Sequence, residues 1–175
     1  PGAYNYAHAG DGTGSHLAGE YFKFTTGADL VPVPFKSVAT IIPTVAGGNQ
    51  LHYAWVDPQN ALVGQRTGKL KSIVVTSKER SSLLPDVPTM VEFGYKDYEA
   101  SGWFGILGPA GLPADVVNRL SNDAQAMLRT ADTREKILGT ANEPWPTTSA
   151  EFGDYIKSEI AKWGRIVKQT GTKIE

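Results

Sequence analysis

Residues 4–25 read YNYAHAGDGTGSHLAGEYFKFT. The segment Tyr4–Ala9 predicts a short strand, Gly10–Gly14 predicts a turn, and His16–Thr25 predicts a helix because its apolar residues recur at helical spacing. A strand that turns directly into a helix is the repeating unit of α/β folds. This stretch therefore sets the expectation for the rest of the first half of the chain.

The alternation of strand and helix continues to about residue 100. Three more strands are predicted, at Leu30–Phe35, Leu51–Val56 and Leu70–Thr76. The helices predicted between and after them are Val38–Ala46, one that begins at Pro58 with Asp57 as its N-cap, and a short one from Thr89 to Gly94. This order predicts an α/β fold with a mainly parallel sheet and helices on both faces.

The second half of the chain is mostly helical. One strand is predicted at Trp103–Leu107, and helices are predicted at Asp115–Ala131, Thr133–Leu138 and Thr148–Gln169. The last helix opens on Thr148-Ser149-Ala150-Glu151, which has the form of a capping box. A single strand cannot form a sheet, so we expect the apolar stripes of these helices to lack a covering surface.

Composition excludes several classes of function. The chain has 175 residues, a net charge of −1 and no cysteine, and 41% of its residues are hydrophobic. These values fit an ordinary globular protein, and they leave no basic field that could hold nucleic acid. Disulfide and thiolate chemistry are excluded as well. No apolar run approaches the roughly 20 residues that span a bilayer.

The glycine-rich segment Ala9–His16 has two readings. Closely spaced glycines before a helix N-terminus can bring backbone N–H groups close to a phosphate or carboxylate. The segment can equally be a tight turn, with Thr13 or Ser15 as the N-cap. A dinucleotide fingerprint is excluded because Ser15 stands where its third glycine belongs, and there is no phosphate-binding P-loop.

No catalytic constellation, metal site or cofactor is predicted. Ser15 and His16 are adjacent on a helix and therefore point in different directions, and no Gly-x-Ser-x-Gly motif occurs. His8 and His52 fall on strands without paired ligand spacing, which argues against a metal site. His8 comes at a strand end just before the glycines, so it is a candidate for the wall of a pocket.

Two further candidates stand at strand ends. The carboxyl ends of parallel strands meet at one edge of a sheet, where ligands bind in open α/β folds. Asp57 should lie at this edge beside the glycine loop, with helix capping as its main role. Phe35 should form part of the wall of the cleft.

The run from Asn5 to Glu20 resembles a signature of the tripartite tricarboxylate transporter receptors, the Bug or TctC-type solute-binding proteins. The likeness continues along the whole chain, in order, through Val33-Pro34-Phe35-Lys36, Leu84-Pro85-Asp86-Val87-Pro88-Thr89, Gly108-Pro109-Ala110-Gly111 and Glu159-Ile160-Ala161-Lys162-Trp163. Two departures concern the site. His8 stands where small hydroxyl residues are usual, and Phe35 often corresponds to a tyrosine.

The resemblance implies a type II periplasmic-binding-protein-like fold and a binding protein with no enzymatic activity. It implies capture of a small carboxylate in the periplasm and delivery to the permease subunits of a membrane transporter. The ligand would be held by backbone N–H groups, hydroxyls and water. The residues expected to bind it are His8, Gly10, Gly12, Thr13, Gly14, Ser15, Phe35 and Asp57.

Compared with the family, residues 9–100 would form one complete lobe. Residues 1–8 and 101–175 would be the remaining part of the other lobe, including its C-terminal helices, with that lobe's N-terminal half absent. We therefore expect a fragment or a short member that could pair with a second copy. Two alternatives stay open: an interaction module that binds no ligand, and a small-acid enzyme using His8, His16 and Asp57.

Overall fold

The computed structural model describes residues 4–48 and 51–172. Nine elements follow one another, namely β1 (Tyr4–His8), α1 (Gly14–Thr26), β2 (Leu30–Pro34), α2 (Val38–Ala46), β3 (Tyr53–Ala54), α3 (Pro58–Arg66), α4 (Ala114–Arg129), α5 (Ala131–Gly139) and α6 (Ser149–Thr170). No helix among these residues combines the length and apolar character needed to cross a membrane.

The sheet has three strands in the order β2-β1-β3, and both pairs are parallel. Helix α1 connects β1 to β2, and α2 connects β2 to β3, so each connection is a crossover of the βαβ type. The predicted α/β class with a parallel sheet and flanking helices is confirmed. Because all strands run the same way, His8, Pro34 and Ala54 end at one edge of the sheet.

The two faces of β1 pack against different partners because successive strand side chains point to opposite sides. Ala7 joins Ile41 and Leu51 in a buried apolar cluster. Tyr6 and His8 point the other way and are fully buried. Helix α1 covers this second face, where Gly19 lies against the Tyr6 ring.

The starts of several helices were predicted correctly from local capping residues. The Thr13 side chain caps α1, and the Asp57 side chain caps α3 with Pro58 in its first turn. The capping box before α6 is also present: the Thr148 N–H donates to the Glu151 carboxylate at 2.8 Å, and the Glu151 N–H donates to Thr148 Oγ1 at 3.2 Å. Each of these bonds satisfies an N–H group that a helix start leaves without an internal partner.

Several predicted elements are wrong. The strand predicted at Leu51–Val56 is reduced to Tyr53–Ala54, and Leu70–Thr76 makes only an isolated bridge from Val75 to Thr89. Trp103–Leu107 forms no strand, and the helix predicted from Thr89 to Gly94 consists of turns. An apolar, β-prone run becomes a strand only beside a partner. Among the described residues, Leu51–Val56 lies beside β1, whereas Leu70–Thr76 and Trp103–Leu107 pair with none of the three strands.

The chain divides into two compact units. One contains the described residues up to Gly102 together with those from Ile166 onward, and the other is Trp103–Arg165. In the second unit, Trp103 meets Phe152 edge to face, with ring centroids 5.4 Å apart. The lobe boundaries that we expect from the family resemblance, at residues 9 and 100, stay a prediction.

Apolar side chains on the second unit are exposed, as expected from helix stripes without a covering surface. On α4, Leu120 is 56% exposed and Met127 is 50% exposed. Ile160 of α6 is 68% exposed, and Phe104, in the segment first predicted to be a strand, is 91% exposed.

Candidate functional site

The loop between β1 and α1 adopts a conformation that requires glycine at two positions. Gly10 has a φ of 112° and Gly12 has a φ of 74°. Both values lie in the region that residues with a Cβ enter only at a cost. Gly14, the first residue of α1, is different, because a Cβ added there would meet no atom within 4 Å.

Two hydroxyl groups hold the loop in shape. Thr13 Oγ1 donates to the Gly10 carbonyl at 2.6 Å, and Ser15 Oγ accepts from the Ala9 N–H at 2.9 Å. The two hydroxyl oxygens are 3.1 Å apart. Since the Thr13 proton is directed at Gly10, Ser15 is the donor of this pair. Of the two N-cap candidates, Thr13 is the one that caps the helix.

The start of α1 presents free donors. The N–H groups of Gly14 and Ser15 find no acceptor on any described residue, and the first turn of the helix contains no acidic side chain. A helix start carries a partial positive charge, so an anion is stabilised there. The loop thus combines a capped turn with a local environment suited to an anion, and the two readings of the sequence are compatible.

Two histidine rings stack behind the loop. His8 is fully buried, and its ring centroid lies 4.4 Å from that of His16. His8 Nδ1 is 3.0 Å from the Gly10 carbonyl oxygen and therefore carries the proton. His16 Nδ1 accepts from the Gly12 N–H at 3.1 Å, which places the His16 proton on Nε2. Burial, followed by the neighbouring His8, lowers the pKa of His16 and favours its neutral form.

Asp11 lies beside both rings. Its Oδ1 atom is 3.9 Å from His8 Nε2 and 3.9 Å from His16 Nδ1. The sequence did not suggest this grouping because the three residues come from a strand end, a loop and a helix. The glycine-rich turn is the sequence feature that could have indicated the grouping, because a tight turn brings the end of the strand close to the start of the helix.

The other predicted site residues lie at the same sheet edge but have local structural partners. The Phe35 N–H donates to the His8 carbonyl at 2.8 Å, while the Phe35 ring is partly buried against the cluster on the opposite face of the sheet from His8. Asp57 accepts from the N–H of Asn60 at 2.9 Å and from its side-chain amide at 2.7 Å. Capping by Asp57 is confirmed. The roles of Phe35 and Asp57 in ligand binding stay predictions.

A cleft of about 240 Å³ opens next to the loop. Its polar wall includes Glu20, which accepts from the Tyr6 hydroxyl at 2.8 Å and from Lys23 Nζ at 3.0 Å. Burial and the Glu20 carboxylate raise the pKa of Tyr6 well above its ordinary value, so Tyr6 remains a neutral donor. The residues lining the cleft are Asp11, His16, Glu20, Lys23, Pro32, Thr170, Gly171 and Thr172.

The sequence of the chain matches a known family of proteins. The sequence model of a protein family, described as the tripartite tricarboxylate transporter family receptor, matches residues 1–172. The chain belongs to this receptor family. The predicted membership is therefore confirmed.

Individual relatives support the same conclusion. The receptor chain is 28% identical to Protein BugT of Bordetella pertussis over 176 residues, which cover 100% of this chain and 53% of BugT. It superposes on the periplasmic binding protein BugD with a TM-score of 0.75 and 29% identity, covering 99% of this chain and 58% of BugD. It superposes on an R. palustris protein solved with adipate with a TM-score of 0.82 and 27% identity, covering 98% and 57% of the two chains. The receptor chain thus spans about half the length of these relatives.

Proposed function

We propose that this receptor chain binds a small carboxylate at the loop Gly10–Ser15 and serves in carboxylate uptake through a tripartite transporter. The observation that carries the proposal is the pair of free N–H groups, on Gly14 and Ser15, at the positive end of α1. The family membership supports it, and so does the adipate found with a similar structure.

The chemistry of the loop suits a carboxylate. Each carboxylate oxygen accepts hydrogen bonds, and N–H groups at a helix start are donors that already point at one place. The hydroxyls of Thr13 and Ser15 lie within the same turn, and their mutual hydrogen bonds keep the loop from rearranging. A hydrogen bond to a charged group contributes about 1.5–3 kcal/mol. A few such bonds correspond to roughly millimolar to micromolar affinity, so we expect this chain alone to bind weakly.

The cellular setting is proposed from the family. A periplasmic location is supported by the description of BugD as a periplasmic binding protein, and partnership with permease subunits is supported by the family description. Fractionation of cells that produce the full-length protein tests the location. Recovery in the cytoplasmic fraction alone would contradict it.

Calorimetry with adipate and shorter dicarboxylates tests the binding site. The informative variant is Gly14→Ala, since the new methyl group meets no protein atom and so leaves the fold intact. A helical Cβ tilts toward the N-terminus of its helix, so the methyl group stands in the path of an approaching carboxylate. We expect binding to weaken by about tenfold or more.

The matched control is Gly153→Ala, another helical glycine with open space around its Cβ position. This variant should bind as the parent does, and the diamide of adipic acid should bind to neither. Equal binding by the Gly14→Ala variant and the parent would overturn the assignment of the loop.

A second candidate, self-association through the Trp103–Arg165 unit, is supported by the exposure of its apolar side chains. Phe104, Ile106 and Leu107 are 91%, 79% and 73% exposed. Two copies that pair through this segment would remove its apolar surface from water. Size-exclusion chromatography with light scattering measures this directly, and a monomer at high micromolar concentration would contradict it.

A further inference from the structure

We propose that His8, Asp11 and His16 form a binding site for a divalent transition-metal ion of the Zn²⁺ type. The ligand atoms would be His8 Nε2, His16 Nδ1 and a carboxylate oxygen of Asp11. This site stands whether or not the loop also binds a carboxylate, because its ligands are side-chain atoms and not the free N–H groups of α1.

The strongest evidence is an unpartnered nitrogen in the interior. His8 is 0% exposed, and its Nε2 atom has no hydrogen-bond partner among the described residues. A buried polar atom left in this state costs about 1–3 kcal/mol. Because His8 Nδ1 donates to the Gly10 carbonyl, the lone pair of the neutral ring is on Nε2. Histidines that bind metals commonly donate their other ring N–H to a backbone carbonyl in this way.

The His16 ring is also held in a tautomer that can bind a metal ion. The hydrogen bond from the Gly12 N–H selects the His16 tautomer whose lone pair is on Nδ1. A metal ion would replace this neutral hydrogen bond by a coordinate bond.

Asp11 supplies the third ligand and the negative charge. The three ligand atoms lie within 4.8 Å of one another, and Asp11 Oδ1 is 3.9 Å from each of the two nitrogens. In a tetrahedral zinc site with bonds of 2.0–2.2 Å, ligand atoms are about 3.3 Å apart. The two distances from Asp11 must each shorten by about 0.6 Å, which rotation of the exposed Asp11 side chain can provide. Metal binding would also turn the stacked histidine rings so that both nitrogen lone pairs point at the ion.

The donor set decides the class of metal. Two imidazoles and one carboxylate suit Zn²⁺, Co²⁺ or Ni²⁺, whereas Mg²⁺ and Ca²⁺ require mainly oxygen ligands. Within residues 4–48 and 51–172, this is the one group of three or more such side chains whose ligand atoms converge. The third histidine of the chain, His52, is exposed and 2.9 Å from the Asn5 side-chain oxygen, so it offers a control.

Metal titrations of the full chain test the proposal. Binding of Zn²⁺ is measured by calorimetry. Binding of Co²⁺ is measured by the visible absorption bands that appear when nitrogen and oxygen ligands replace water. We expect one ion per chain. Asp11→Asn, at an exposed position, should weaken binding by roughly 100-fold, since removal of even an outer partner of a metal ligand costs about 10–100-fold. His8→Gln should have a similar effect, and His52→Gln should have none.

Two results would overturn the site. One is the absence of Co²⁺ bands in the intact chain, and the other is equal weakening by the variants at His52 and Asp11. Thermal unfolding of each variant separates loss of metal from loss of fold, and Asp11→Asn remains decisive if His8→Gln unfolds. Adipate titrated into the chelator-treated chain reports the carboxylate loop separately, so failure of one proposal leaves the other measurable.

Discussion

The ring of Tyr6 on β1 occupies the place where a side chain at Gly19 of α1 would begin. The same tyrosine donates from its hydroxyl to Glu20, the next residue of the helix. Helix and strand therefore approach closely enough to place the start of α1 over the sheet edge. The absence of a Cβ at Gly19 is a condition for the geometry of the loop.

Gly19→Ala should destabilise the protein. A methyl group at this position overlaps the Tyr6 ring, which is fully buried and cannot move away, so the helix must shift. Overpacking of this kind costs about 1–3 kcal/mol in free energy of unfolding. Urea unfolding measures the cost. Gly153→Ala, in open space on α6, is the control and should stabilise by up to about 1 kcal/mol. Two variants of equal stability would contradict the close approach.

Gly10→Ala and Gly14→Ala should differ in stability although they lie in the same turn. Gly10 has a φ of 112°, so an alanine there is strained. Strain of this type costs about 1–3 kcal/mol. Gly14 has no such constraint, and its variant should unfold close to the parent's urea midpoint. Equal losses at the two positions would show that the loop conformation is wrong.

Two buried phenols should respond oppositely to removal of their hydroxyl. The Tyr53 hydroxyl has no partner among the described residues, and burial raises the pKa of Tyr53 to about 12. The Tyr98 hydroxyl donates to the Ala18 carbonyl at 2.8 Å. We expect Tyr53→Phe to leave stability unchanged or raise it by about 1 kcal/mol, and Tyr98→Phe to lower it by about 1 kcal/mol. Chemical denaturation checks both, and a larger loss from Tyr53→Phe would refute the assignment.

The ion pair of Arg80 with Glu92 should make stability depend on pH in the acid range. The Arg80 guanidinium, followed by the Thr89 N–H, lowers the pKa of Glu92 to about 2. A carboxyl group with a lowered pKa contributes its full stabilisation above its unfolded pKa of about 4.3 and loses it as the pH falls through the folded value. The difference in unfolding midpoint between the parent and Glu92→Gln should therefore shrink between about pH 4.5 and pH 2. A constant difference across this range would contradict the pairing.

The sequence predicted best what is decided locally. Thr13, Asp57 and Thr148 stand at helix starts because each satisfies an N–H group within three residues of itself. The glycine turn after β1 was predictable for the same reason. The edge shared by His8 and Asp57 followed from the parallel topology alone.

What the sequence missed depends on distant partners or on the detailed geometry of a turn. Leu70–Thr76 has the composition of a strand, yet pairing requires a neighbour, and only Val75 makes a bridge. The convergence of His8, Asp11 and His16 depends on how tightly one turn folds, which residue spacing does not report. The Phe35 ring packs on the opposite face of the sheet from His8. Which face a side chain takes depends on the alternation of β2 and the residue after it, and therefore on where the strand begins.

The position of β1 in the middle of the sheet has a consequence for motion. β1 is hydrogen-bonded to β2 on one side and to β3 on the other, and the carbonyl of its last residue, His8, accepts from the N–H of Phe35, just after the end of β2. A central strand is among the last parts of a fold to open, so its amide protons should exchange slowest with solvent. The loop that follows it is anchored to this strand. A carboxylate bound there, as we propose, would therefore meet donors held in position and lose little free energy to ordering them.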